Sequence, residues 1–153
     1  YKRQLLSRVN NEICESISHG MFVTLVSGFL DAKNQTIKFS NAGHQPPLFH
    51  TNRGEFTEIE ASAPPIGIIP AIEFPVETIN LNGGVVYLFT DGITESHDEN
   101  NKFLEVVGLI ELIKINSKLP LSDRLDRIVS KVRNSSIDQH DDITLMIIEC
   151  NKE

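Results

Sequence analysis

Between Met21 and Phe89 the sequence reads as strand after strand, with no helical segment between them. Met21–Leu30 is nearly continuous in apolar residues, and Thr36–Ser40 follows after turn chemistry at Asp31–Gln35, so 21–40 reads as a β-hairpin. Leu48–Thr51 and Glu55–Glu60 are two short strands about Asn52-Arg53-Gly54. Phe74–Leu81 alternates, and Asn82-Gly83-Gly84 leads into the apolar run Val85–Phe89. Helical spacing appears on either side of this block. Leu6, Val9, Ile13 and Ile17 mark a helix over 2–18. Phe103, Val106, Val107, Ile110 and Ile113 mark a second, and Leu121, Leu125, Ile128, Val129 and Val132 mark a third after Pro120. Ile143–Glu149 then returns as a strand too apolar to lie outside the sheet. Strands in runs, with helices set apart from them, predict an α+β fold and not a doubly wound one.

The 153 residues are about the size of one domain and are expected to form a single unit over 1–153. A formal net charge of −7 argues against a nucleic-acid-binding surface, which normally carries a basic patch. No apolar run approaches the ~18 residues that span a bilayer. Cys14 and Cys150 have neither metal-ligand spacing nor the density of a disulfide framework, so free thiols in a reducing cytoplasm are expected. The first residue is Tyr1, and no signal peptide is visible, so a start partway through a longer product is expected.

Two acidic sites fall at strand ends. Asp91-Gly92 follows Val85–Phe89, and Asp141-Asp142 precedes Ile143–Glu149. If the two strands are antiparallel neighbours, the end of one and the start of the other share a rim. Carboxylates gathered there repel one another unless a cation neutralises them, and hard oxygens favour Mg²⁺, Mn²⁺ or Ca²⁺ over zinc. Asp91-Gly92 is equally the chemistry of a turn, and an acidic pair before a strand is more often a solvated turn or cap. His44, in a loop rich in Gly and Pro, invites a catalytic reading, but holding that loop through its ring nitrogens is the stronger one. No Gly-x-Ser-x-Gly elbow, phosphate loop or cysteine-nucleophile signature is present, and Thr24, Thr90, Thr94 and Thr144 read as packing and turn residues.

Five motifs occur in order: Met21-Phe22-Val23-Thr24-Leu25, Asn41-Ala42-Gly43-His44-Gln45-Pro46-Pro47-Leu48, Pro65-Ile66-Gly67, Leu88-Phe89-Thr90-Asp91-Gly92-Ile93-Thr94-Glu95 and Asp141-Asp142-Ile143-Thr144-Leu145. Together they resemble the SpoIIE-like and RsbU-like phosphatases, bacterial members of the metal-dependent PPM class of serine/threonine phosphatases. The resemblance covers essentially the whole chain. It implies a sandwich of two antiparallel sheets flanked by helices, in α-β-β-α layers. It implies two Mn²⁺ or Mg²⁺ ions on one edge, with Asp91, beside Gly92, and Asp141 as ligands and Asp142 as the lesser candidate. Asn41, Gly43 and His44 carry over as a scaffold loop. The implied reaction is hydrolysis of phosphoserine or phosphothreonine by a metal-activated hydroxide, with no covalent intermediate. The implied substrate is a phosphoprotein, such as a STAS-type anti-sigma-factor antagonist.

The family pattern also has an acidic Gly-Asp segment and an Asp-Val-x-Gly-x-Gly segment upstream, and nothing in residues 1–20 matches them. About half of the metal site and the first strands of the sandwich are therefore expected to lie elsewhere. Open sheet edges, self-association into a homodimer, and little or no turnover by these residues alone are the matching expectations. A non-catalytic, partner-binding relative is the alternative.

Overall fold

The computed structural model describes residues 2–16, 20–97, 102–135 and 142–150. The described elements are α1 (Lys2–Ser16), β1 (Leu25–Asp31), β2 (Thr36–Ala42), β3 (Leu48–His50), β4 (Phe56–Glu58), β5 (Glu77–Asn80), β6 (Val85–Phe89), α2 (Asp91–Thr94), α3 (Glu105–Asn116), α4 (Leu121–Ser135) and β7 (Leu145–Glu149). The strands form two sheets, ordered β1-β2-β5 and β4-β3-β6-β7, and every strand pairing in them is antiparallel.

Strand alternation builds the layers. Ile37 and Phe39 of β2, Ile79 of β5 and Val86 of β6 pack together between the sheets. Val85, Tyr87 and Phe89 of β6 point the other way, onto Leu109 and Ile113 of α3 and Ile128 and Val132 of α4. Ala42 of β2 faces outward from the first sheet and meets Leu6 of α1, Ile66 and Phe74. The result is the expected order of layers: helix, sheet, sheet, helices.

The hairpin of β1 and β2 forms with Leu25 opposite Ala42 and Asp31 opposite Thr36. The ladder does not begin at Met21, however. Met21, Phe22 and Val23 are largely exposed, and Val23 exchanges backbone hydrogen bonds with Ile66 instead (2.9 and 2.8 Å). A run that is apolar on both faces carries no alternation to mark where pairing starts. β5 is also shorter than its sequence pattern. Phe74 is buried against α1's cluster, and Pro75, which has no N–H, gives its carbonyl to the Ser40 hydroxyl (2.6 Å). The Asn82-Gly83-Gly84 turn carries the chain from one sheet to the other, since β5 and β6 lie in different sheets.

Polar side chains stitch α1 to the loop after Ile66. Asn10, fully buried, donates to the Ile69 carbonyl (2.9 Å) and accepts from the Gly67 N–H (3.0 Å). Ser7 donates to the Ile72 carbonyl, and Asn11 accepts from the Ala71 N–H. Apolar spacing identified the helix but not these contacts.

At the far end of the second sheet, the His50 ring stacks on Phe56 at 4.1 Å, with the Lys114 ammonium 5.5 Å from the Phe56 centroid. Burial lowers the His50 pKa below 6.5, and the charges of Arg124 and Lys114 lower it further. Unfolded protein therefore binds a proton at His50 more readily than folded protein does. The stability that neutral His50 contributes is complete above pH 6.5 and is lost as the pH falls through and below that value. Denaturant midpoints measured from pH 5 to 7.5 should rise with pH, and His50→Phe, which keeps the stack, should reduce that rise.

Candidate metal centre

β6 and β7 are antiparallel neighbours, with Phe89 opposite Leu145 as the last ladder pair. The end of one strand and the approach to the other therefore do share a rim. Thr90 fastens it. Its N–H donates to the Thr144 carbonyl (3.2 Å), its hydroxyl donates to the Asp142 carbonyl (2.8 Å), and that hydroxyl accepts from the Thr144 N–H (3.0 Å). One side chain thus satisfies two backbone groups where the ladder stops, which is why β7 begins at Leu145 and not at Ile143.

Asp91 is the first residue of the single-turn helix α2, so it sits neither in the strand nor in a simple turn. Phe89 before it and Ile93 after it are both buried in the core beneath α3 and α4. These two anchors fix the backbone that carries the half-buried carboxylate. Its Oδ1 accepts from the Gly92 N–H at 3.1 Å, and its backbone carbonyl accepts from Glu95 N–H and the Thr94 hydroxyl. Gly92 is buried, and Ser96 closes the turn by donating to the Ile93 carbonyl (2.6 Å).

Asp142 is exposed and is brought to this rim through its carbonyl's bond to Thr90. Asp141, the favoured partner of Asp91, lies outside the described residues, as does His140. Among the described residues, no group of three or more His, Cys, Asp and Glu side chains could hold a metal ion. Asp91 and Asp142, the described acidic residues at the rim, offer hard carboxylate oxygens of the kind that suit Mn²⁺ or Mg²⁺. Two carboxylates supply one wall of such a site and leave most of an octahedral shell to other donors.

The second motif is tied to different partners. Asn41, fully buried at the end of β2, accepts from the His44 N–H (2.9 Å) and donates to the His44 carbonyl (3.1 Å). The Asn41 carbonyl takes the N–H groups of Ser62 and Ala63, both at 3.2 Å. Gly43 has φ +66°, and a Cβ there would overlap the Pro65 ring. His44 uses Nδ1 to reach the Thr24 hydroxyl at 3.1 Å. These contacts pin the loop to β2, Thr24 and the Ser62–Pro65 segment.

Sequence patterning also passed over a buried charge. Arg124 of α4 is 6% exposed. It pairs with Glu149 of β7 (2.9 Å), donates to the Tyr87 hydroxyl (3.2 Å) and donates to the Leu119 carbonyl (3.2 Å). Its position among Ile128, Val132 and Leu125 on a helix was the available signal.

Comparison with known proteins places this geometry in a family. The model for Stage II sporulation protein E (SpoIIE) matches residues 2–151, and the chain belongs to that family. Protein IcfG of Synechocystis sp. is 27% identical over 134 residues, covering 86% of this chain and 21% of IcfG. Phosphoserine phosphatase RsbU of Bacillus subtilis is 26% identical over 148 residues, covering 95% of this chain and 44% of RsbU. The chain therefore spans less than half the length of either relative. The SiaA-PP2C domain of Pseudomonas aeruginosa has the same fold, with a TM-score of 0.80 at 16% identity, over 97% of this chain and 61% of that one. The antiparallel sandwich with flanking helices is thus that of the PP2C-type phosphatase domains. Among the described residues no helix is long and apolar enough to cross a membrane.

Proposed function

We propose that the intact protein is a metal-dependent serine/threonine protein phosphatase of bacterial regulatory signalling, acting in the cytoplasm on a phosphorylated protein, with an anti-sigma-factor antagonist of STAS type as the substrate. Residues 1–153 are one part of its phosphatase domain. The observation that carries this is the rim where Thr90 locks β6 to β7, so that Asp91, presented from α2, stands beside the approach to β7 that holds Asp142. Membership in the SpoIIE family and similarity to a named phosphoserine phosphatase support it.

Asp91 is assigned as a ligand, with Gly92 letting the chain pass close by, and Asp141 as its partner across the rim ahead of Asp142. A pair of divalent ions, when bound, would supply a lowered pKa for water and neutralise charge on the phosphoryl oxygens. The part of the protein is positional. Anchored at Phe89 and Ile93, Asp91 needs no backbone rearrangement to present its carboxylate, so little ordering cost falls on binding. Thr90 holds the opposite segment in register. Asn41, Gly43 and His44 keep the neighbouring loop in shape and take no part in the chemistry.

Metal removal tests this. The full-length protein should release inorganic phosphate from a phosphoserine-bearing protein. Chelation with EDTA should abolish release, and Mn²⁺ or Mg²⁺ should restore it. Release that persists undiminished in EDTA would contradict the assignment. Absence of release under every metal condition would leave the partner-binding alternative.

A further inference from the structure

Two stretches of the chain, residues 20–30 and 61–72, contain no charged residue, although charged residues make up 23% of the sequence. The fold lays the two side by side. Val23 and Ile66 exchange backbone hydrogen bonds, and Gly67 sits beside the backbone of Met21 and Phe22. Met21, Phe22, Val23, Ile68 and Ile69 are all large and apolar, and their exposures run from 45% at Val23 to 60% at Met21. The backbone beneath them is anchored. The buried Asn10 side chain brackets Ile68 by holding the Gly67 N–H and the Ile69 carbonyl. A single exposed apolar side chain is ordinary, but five adjacent ones on a pinned backbone mark an interaction surface.

Its place in the fold is specific. β1 begins at Leu25, two residues after Val23, and Leu25 pairs with Ala42 at the end of β2. The loop after Ala42 leads into Leu48 of β3, which pairs with Tyr87, two residues before the end of β6. The start of β1 and the end of β6 therefore lie at the same end of the sandwich. Val26 and Leu30 of β1 border one cleft with Met146 and Ile148 of β7, so β1 faces β7 across the gap between the sheets. That gap is about 10 Å in packed sheets, which sets the apolar surface roughly one sheet spacing from the rim of Asp91 and Asp142.

We propose that the surface formed by Met21–Val23 and Ile68–Ile69 is where the phosphoprotein substrate docks while its phosphoserine enters the rim. This rests on the phosphatase reading above and assigns the protein contact that the rim alone does not provide. A phosphoryl group held at the rim projects from a folded protein, whose surface must lie against whatever flanks the rim. Stable protein contacts take about 800 Å² from each partner, far more than two carboxylates present. The surface also has the layout of such a contact, an apolar centre with charge at its border. The exposed Glu60 and Glu73 bound the second uncharged stretch. A lipid bilayer is a poorer occupant, because a chain of net charge −7 is repelled by anionic headgroups. A second copy seated here would obstruct the rim.

The test compares two substrates of the full-length protein: a phosphorylated STAS-type antagonist protein, and p-nitrophenyl phosphate, which carries the phosphoryl group without a protein surface. Phe22→Asp and Ile68→Asp should each raise KM for the phosphoprotein at least about tenfold, and leave hydrolysis of p-nitrophenyl phosphate within about twofold of the parent. Ile115→Asp, 78% exposed on α3, is the control and should change neither. The Tm of each variant should stay within about 2 °C of the parent. Variants that match the parent on both substrates, or that lose both equally, would overturn the docking assignment while leaving the phosphatase reading in place. A parent that hydrolyses neither substrate would overturn that reading, and the docking assignment with it. A Tm lowered by more than about 5 °C would assign the surface to the protein's own interior, and sedimentation showing lost self-association would assign it to a second copy. Either result contradicts the proposal, as would loss of binding to lipid vesicles without any change in KM.

Discussion

Exchanging Asp91 for asparagine in the full-length protein should lower phosphate release by roughly 10²–10⁴-fold, the rate equivalent of the several kcal/mol that divalent-ion charge stabilisation contributes. The loss should appear in kcat with saturating Mn²⁺, because an amide oxygen in place of the carboxylate weakens the ligand without reshaping the rim. Stability should hardly move. Asparagine has nearly the same volume, and its side-chain oxygen can still accept from the Gly92 N–H, the bond now made at 3.1 Å. The anchors on either side, Phe89 and Ile93, are untouched. A Tm within about 2 °C of the parent, beside a large loss of turnover, would separate a ligand role from a structural one.

The largest effect on stability is expected at the opposite end of β7. Arg124→Ala should destabilise the protein by about 2–4 kcal/mol, somewhat below the ~3–5 kcal/mol typical of breaking a fully buried pair, because the Glu149 side chain is 25% exposed. Three groups lose their partner at once: the Glu149 carboxylate, the Tyr87 hydroxyl and the Leu119 carbonyl. Tyr87 is fully buried and its pKa is raised, chiefly by burial, so its phenol stays neutral and cannot take over the charge balance. For a chain of this size the penalty corresponds to a fall in Tm of about 5–15 °C. Arg124→Met combined with Glu149→Leu should recover most of it, since the cost lies in stranding one charge and not in lacking the pair. Thermal unfolding of the single and double variants decides this. Equal destabilisation of both would mean that Arg124 acts through its packing stem alone.

The parts of the fold that could be read from residue order are those where burial dictates period. Val85–Phe89 had to be an interior strand, and the apolar run after the two helices had to return beside it. That the two pair antiparallel was only a condition in the sequence, and the β6–β7 ladder is what puts Asp91 and the approach to β7 on one rim. Strand ends were less legible, for reasons specific to each. Met21–Phe22 is as apolar as β1 but lies outside the ladder, and Thr144 is withdrawn from β7 by the Thr90 hydroxyl. For polar groups that act in the interior, a place on an apolar helix face was the most that could be read, and their partners were not legible. Asn10 and Arg124 are placed by partners some 25–60 residues away, Gly67, Ile69, Tyr87 and Glu149, and no local spacing encodes such a contact.

The most direct test of the candidate centre is Mn²⁺ binding by calorimetry to the full-length protein and to its Asp91→Asn variant, in parallel. If the rim between β6 and β7 is a metal centre, the parent should bind Mn²⁺ saturably, and the variant should bind it at least about tenfold more weakly or with fewer ions. Identical affinity and stoichiometry in the two proteins would contradict the assignment of Asp91.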